Sequence, residues 1–259
     1  MELKYARYDF TPILGWSISR YEVFDKCKRQ YFYQYYSKFV RDIPLYKIRQ
    51  LRELTSVPLE VGNVVHDVLE AFLRRLQKSD SDIDEERFYK YAEEKAREYF
   101  STKTFLEVRY GAVESIAMPD VYARIRTCLR NFMGSPVYSW IYMNALKNKN
   151  NWMIEPPGYG ETRLNGLKAY CKMDFLLPLE NEVAVLDWKT GKRDQYKHAS
   201  QVIAYAAAAS NNFGIPMERI YPRIVYLYPE YGELEVNVDE SHLEGFYTRV
   251  RAQTEEMYA

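Results

Sequence analysis

No apolar run in the 259 residues is long enough to cross a bilayer: the longest, such as Val202 to Ala209, fall far short of the roughly 20 residues a spanning helix needs. Met1-Glu2-Leu3-Lys4 opens no signal-peptide pattern, so a soluble cytoplasmic protein with no membrane partner is expected. Cysteine is scarce. Cys27, Cys128 and Cys171 are odd in number, far apart and never paired as C-x-x-C, which excludes a disulfide framework and a local zinc site and predicts reduced thiols. Internal repeats and flexible linkers are also missing. With 47% apolar and 28% charged residues, the chain has the composition of a compact globule, read as one domain over 1–259. Net charge is absent as well, 36 Lys and Arg against 36 Asp and Glu, and a neutral total at first argues against nucleic acid.

Read by segment, the charge separates. From Arg20 to Arg52 there are nine Lys or Arg against Glu22, Asp25 and Asp42, a net of about +6, interleaved with Tyr21, Phe24, Tyr31, Phe32, Tyr33 and other rings. Such alternation suits a surface that tracks phosphates and stacks bases, with Arg20, Lys26, Lys28, Arg29 and Tyr33 as its contacts. It equally suits a helix with an aromatic core face and a solvated basic face. Acid gathers elsewhere: Asp80 to Glu98 holds eight carboxylates to four bases, and Glu230 to Glu244 holds six to none.

Periodicity divides the chain into a mainly helical part at 17–150, a sheet-bearing core at 159–238 and a terminal helix at 240–258. Ser19-Arg20-Tyr21-Glu22 reads as a capping box, with Ile18 and Val23 as its staple, and predicts a helix to about Phe39. Val61, Val64, Val65, Val68, Leu69, Phe72 and Leu76 recur at helical spacing on a second helix, which carries His66. Asp84 to Phe100 and Pro119 to Met133 read as further helices, and Asn148 to Gly160 with Pro156-Pro157-Gly158 as a loop. Asn165-Gly166 then marks a hairpin. Strands are expected at Leu167 to Leu177, Val183 to Lys189, Ile220 to Tyr228 and Glu233 to Val238, with an Ala-rich helix at Lys197 to Ser210 and another from Glu240.

The chemistry concentrates at Met173-Asp174-Phe175 and Leu186-Asp187-Trp188-Lys189-Thr190-Gly191. Strand alternation aims Asp187 and Lys189 to one side and Trp188 to the other. An even-numbered turn between Glu180 and Asn181 sets Asp174 opposite Asp187, where directly facing Cβ atoms lie about 4.5–5.5 Å apart, and an odd one breaks that register. Two carboxylates so close repel unless one takes a proton or a hard divalent cation binds both. Beside such an ion Lys189 would orient or deprotonate an attacking water, the outline of a phosphodiesterase. The plain alternative is an Asp–Lys ion pair at a strand end. Gln201 and Tyr205, four apart on a helix, reach toward the site or pack at the sheet's rim. A two-residue Asn-Gly turn places Glu161 opposite Tyr170, on the strand face of Asp174. Glu155, in the Pro-rich loop, is the weaker acidic candidate, and His66 is either a metal ligand or a helix histidine partnered by Glu70.

Taken in order, Ser17-Ile18-Ser19 leading to Phe24 and Cys27, Gly62-x-x-x-His66 with Leu69-Glu70, Asp174, Asp187-Trp188-Lys189-Thr190-Gly191 and Gln201-x-x-x-Tyr205 resemble the RecB-like branch of the PD-(D/E)XK nuclease superfamily, over residues 17 to about 210. The resemblance implies an α/β, restriction-endonuclease-like mixed central sheet flanked by helices. It implies Mg²⁺ or Mn²⁺ held by His66, Asp174, Asp187 and the Trp188 carbonyl, a catalytic Lys189, and Glu161, Gln201 and Tyr205 at the same site. Metal-dependent hydrolysis of DNA follows, by exonuclease action on single strands or duplex ends. Relatives among the CRISPR-associated and AddB-type nucleases hold an iron–sulfur cluster on one N-terminal and three C-terminal cysteines. Cys27 matches the first, but no cysteine follows Cys171, so no cluster is expected. Lys28 replaces the usual Pro after that first cysteine, and Cys171 an often-seen Gly before Asp174. Lacking a helicase motor, the chain resembles a stand-alone nuclease or a subunit working with a helicase or another recombination or CRISPR protein. The alternative is a non-catalytic DNA-binding or scaffolding subunit, against which the intact Asp174, Asp187 and Lys189 argue.

Overall fold

The computed structural model describes residues 4–9, 11–41, 43–79, 81, 83–155 and 160–258, so the Pro156-Pro157-Gly158 loop and Asp80 lie outside the described residues. Helix α1 (Ile18–Lys26) begins earlier than the capping box suggests, because Ser17 rather than Ser19 supplies the cap: its hydroxyl accepts from Arg20 N–H at 3.1 Å. The expected run to Phe39 is interrupted. Cys27 turns extended at φ −160°, and its Sγ accepts from Gln30 N–H, capping α2 (Lys28–Tyr35) before a 3-10 turn at Ser37–Phe39. Next come α3 (Leu45–Arg52), β1 (Leu54–Thr55), α4 (Val57–Lys78), α5 (Glu85–Thr102), β2 (Thr104–Phe105), α6 (Leu106–Arg109), α7 (Met118–Met133) and α8 (Pro136–Met143). The valine stripe of α4, started by Pro58 in its first turn, is buried along its length against α5 and α7. Among the described residues no helix is long and apolar enough to cross a membrane.

The second half supplies the sheets. Strand β3 (Met153–Ile154) precedes the hairpin of β4 (Glu161–Leu164) and β5 (Leu167–Tyr170), then β6 (Phe175–Pro178), β7 (Val183–Lys189), α9 (Gln195–Phe213), β8 (Ile220–Tyr226), β9 (Gly232–Glu235) and α10 (Glu240–Tyr258). Asn165 and Gly166 both adopt positive φ, 48° and 80°, as the hairpin's two-residue turn demands. The single strand expected from Leu167 to Leu177 is two. The chain bends over Cys171 to Asp174 and changes sheets, leaving β5 with β4 and placing β6 in a five-stranded sheet ordered β3-β6-β7-β8-β9. Within it β7 and β8 run parallel, joined through α9, and every other neighbouring pair is antiparallel. The sheet is therefore mixed, as expected.

Each strand divides its side chains between two cores. Ala184, Leu186 and Trp188 of β7 enter the core built with α4, α5 and α7. Val183 and Val185 enter the opposite one, with α9 and α10. Alternation then commits Asp187 and Lys189 to the α9 side.

Candidate active site

The β6–β7 hairpin pairs Phe175 with Leu186 and Leu176 with Val185, the register that an even-numbered turn requires. It brings Asp174, just before β6, against the backbone of Trp188, whose N–H donates to Asp174 Oδ2 at 2.9 Å. The other oxygen, Oδ1, lies 3.2 Å from His66 Nδ1, and His66 Nε2 lies 3.0 Å from the Trp188 carbonyl oxygen. Close approach of α4 makes this possible. A Cβ at Gly62, one turn before His66, would stand 3.1 Å from Thr190 Oγ1 just past β7, tighter than ordinary packing.

With an acceptor at each ring nitrogen, His66 has good reason to be protonated. Burial pulls its pKa down, but the charge of Asp174 and its hydrogen bond pull harder, leaving it raised to about 9. The ring thus sets a proton between a carboxylate and a carbonyl oxygen, and a divalent cation bound by the imidazole would displace it. Asp174 is buried, which would raise its carboxyl, yet His66 and the Trp188 N–H hold it below the usual range. Asp187 goes the other way, raised by burial and by the neighbouring charge of Asp174.

Asp187 is 2% exposed. Its Oδ1 accepts from Tyr205 O–H at 2.6 Å, and Gln201 Nε2 donates in turn to the Tyr205 hydroxyl. Its Oδ2, fully buried, meets the Lys189 ammonium as a close ion pair. His66, Glu155 and Asp174 offer ligand atoms that all lie within 4.8 Å of one another. Carboxylates, an imidazole, the nearby Trp188 carbonyl and the buried Oδ2 of Asp187 together make a donor set that fits a divalent cation.

Glu155 takes the place expected for Glu161. The Glu161–Tyr170 pairing is as the turn predicts, but the bend over Cys171 to Asp174 parts that face from Asp174, and Glu161 pairs with Arg163 at 2.9 Å and Lys168 at 3.3 Å. Glu155 instead follows β3, whose pairing with β6 continues into a 2.8 Å bond from Glu155 N–H to the Asp174 carbonyl. Its φ of 41° is unusual for a non-glycine residue, and backbone of this kind gathers at functional sites. Glu70 is not the partner of His66; it pairs with Arg74 at 2.7 Å. A Pro-rich flank concealed the two-residue strand that positions Glu155.

Two clefts of about 520 and 510 Å³ flank the carboxylates, and both are lined by Lys172 and Lys189. One lies between the start of α1 (Ser17, Ser19, Glu22) and α9 (His198, Gln201), the other between α4 (Pro58, Asn63, His66) and Thr190-Gly191. Neither is lined by Lys26, Lys28, Arg29 or Tyr33. Several of the expected phosphate contacts are engaged within the chain. Arg20 donates to the Tyr31 hydroxyl and the Gly15 carbonyl and lies over the Tyr35 ring, while Lys28 sits over Phe24 and pairs with Glu256 of α10.

No curated protein matches the chain significantly. Among solved structures it is similar to the crystal structure of SSO0001, 20% identical, covering 59% of this chain and 69% of that one, with a TM-score of 0.30. The profile of the PD-(D/E)XK nuclease superfamily matches residues 15–258, a span that takes in His66, both aspartates and Lys189. On that match the chain belongs to the PD-(D/E)XK nuclease superfamily, and its helix-flanked mixed sheet is the restriction-endonuclease-like fold of that superfamily.

Proposed function

We propose that the protein is a RecB-like, Mg²⁺- or Mn²⁺-dependent deoxyribonuclease that hydrolyses single strands or duplex ends from a terminus, alone or beside a helicase of recombination, repair or CRISPR adaptation. The observation that carries this reading is the convergence of His66, Glu155, Asp174, Asp187 and Lys189 at the end of β7, between two clefts that share Lys172 and Lys189 in their walls. Asp174, Asp187, Glu155, the Trp188 carbonyl and, once its proton is displaced, His66 would hold the cation. Bound there, it supplies Lewis-acid stabilisation of the charge that grows on the phosphoryl oxygens. Lys189, on the wall shared by both clefts, orients the attacking water toward phosphorus. Tyr205 and Gln201 fix the rotamer of Asp187.

End-labelled single- and double-stranded DNA test the reading. With Mg²⁺ or Mn²⁺ the label is released as short products, with chelator it is retained, and a circular single strand survives. Absence of cleavage on every substrate overturns the proposal. Tyr205→Phe removes only the hydroxyl that donates to Asp187. Cleavage should fall about 10–100-fold, the range for an outer partner of a metal ligand, with the fold intact by circular dichroism. An unchanged rate would show that Asp187 needs no such support.

A further inference from the structure

We propose that the face formed by α2, the 3-10 turn and α3, residues 28–52, is a docking surface for a single-stranded polynucleotide, a reading that rests on the nuclease proposal only for the source of the strand. Large side chains stand in solvent along it: Phe32 (42% exposed), Tyr35 (37%), Phe39 (61%), Leu45 (53%), Tyr46 (60%) and Leu51 (61%). Of the two helices' own side chains only Tyr31 and Ile48 are buried. These pieces form one surface: Phe32 stacks on Tyr36 at 6.4 Å, the Lys38 ammonium lies 4.9 Å from the Phe39 ring, and Arg52 bonds Ser37 Oγ across to the turn. Apolar area grouped like this marks an interaction site.

Charge selects the occupant. Residues 28–52 hold seven Lys or Arg and one acid, Asp42. A second copy of the chain docked on the same face would set those cations against their own kind. A polynucleotide satisfies both features, its bases on the exposed rings and its phosphates on the cations between them. The location agrees. Ser17, Ile18, Ser19 and Glu22, just before this segment in the chain, line one cleft, and Pro58 and Leu59, just after it, line the other, so the face is tied to both clefts along the chain.

Binding of a fluorescent single strand of about 25 nucleotides, read by anisotropy in chelator, tests the surface without requiring cleavage. Phe39→Ala with Tyr46→Ala should weaken binding about tenfold, while a blunt duplex of that length, its bases already stacked, changes by less than about twofold. Lys47→Gln with Arg49→Gln should make the slope of log affinity against log salt shallower by about 1.4. Unchanged affinity and slope, or an equal loss on duplex, would overturn the proposal. So would loss of self-association, or of binding to anionic vesicles, in variants whose DNA binding is unmoved. A protein that cleaves DNA yet binds it equally well after these substitutions overturns the surface and leaves the nuclease reading standing.

Discussion

Asp174→Asn should abolish metal-dependent cleavage, with a loss on the order of a thousandfold or more in kcat/KM, and should erase the rise in Tm expected when Mn²⁺ is added to the wild type. The substitution keeps the shape, and its carbonyl oxygen still accepts from the Trp188 N–H. What disappears is the charge that opposes His66 and, with Asp187, would hold a cation. A ligand at about 100 times its Kd stabilises the folded state by about 2.7 kcal/mol, so a vanished shift is easily read in a melting experiment. Without metal the variant should melt below the wild type near neutral pH, because the pair that holds the Asp174 carboxyl low and the His66 imidazole high is lost, an effect only partly offset by relief of the repulsion that raises the Asp187 carboxyl. Persistence of the Mn²⁺ shift, or of cleavage, would remove Asp174 from the site.

Lys189→Met separates holding the ion from using it. The methionine fills similar volume, keeps all five oxygen and nitrogen donors and removes only the ammonium. Cleavage should fall about 10²–10⁴-fold, the range for a positioned proton-handling group, while the Mn²⁺-induced rise in Tm stays or grows. Growth is reasonable because the ammonium and the ion compete for Asp187 Oδ2. If the substitution abolished the metal response as well, Lys189 would be a structural counter-ion of Asp187.

The β6–β7 register was legible in the sequence up to one choice, the parity of the turn: period-two alternation fixes the faces, and the pairing of Phe175 with Leu186 shows the turn to be even. The sequence carried α4, α5, α7 and α9 as well, each having a sustained apolar stripe. It failed where no local signal exists. Nothing in Cys171-Lys172-Met173-Asp174 breaks a strand pattern; the bend arises because β5 pairs with β4 and β6 with β7, which are tertiary choices. That bend alone displaced Glu161. Glu155 was discounted because a two-residue strand is too short to show a period. The break at Cys27 was hidden because a thiol, an uncommon helix cap, accepts from Gln30 N–H where Ser or Asp would have announced it. The cations of α1 and α2 were legible as charge, but their engagement with Tyr31, Tyr35, Phe24 and Glu256 depends on folding.

Trp188 is the middle letter of Asp-x-Lys, the one such a motif leaves blank. Its N–H holds Asp174, its carbonyl faces His66, and its ring lies edge-on to Phe132 at 5.4 Å inside the helical core. Any residue but proline could offer that N–H and that carbonyl, so beyond that one exclusion the chemistry is blind to identity here and the core reads the side chain. The alphabet of the motif therefore omits a contribution that the backbone makes. A change deep among α4 and α7 reaches the carboxylates through the placement of the two peptide planes that meet at one Cα, without altering a single letter that defines the site.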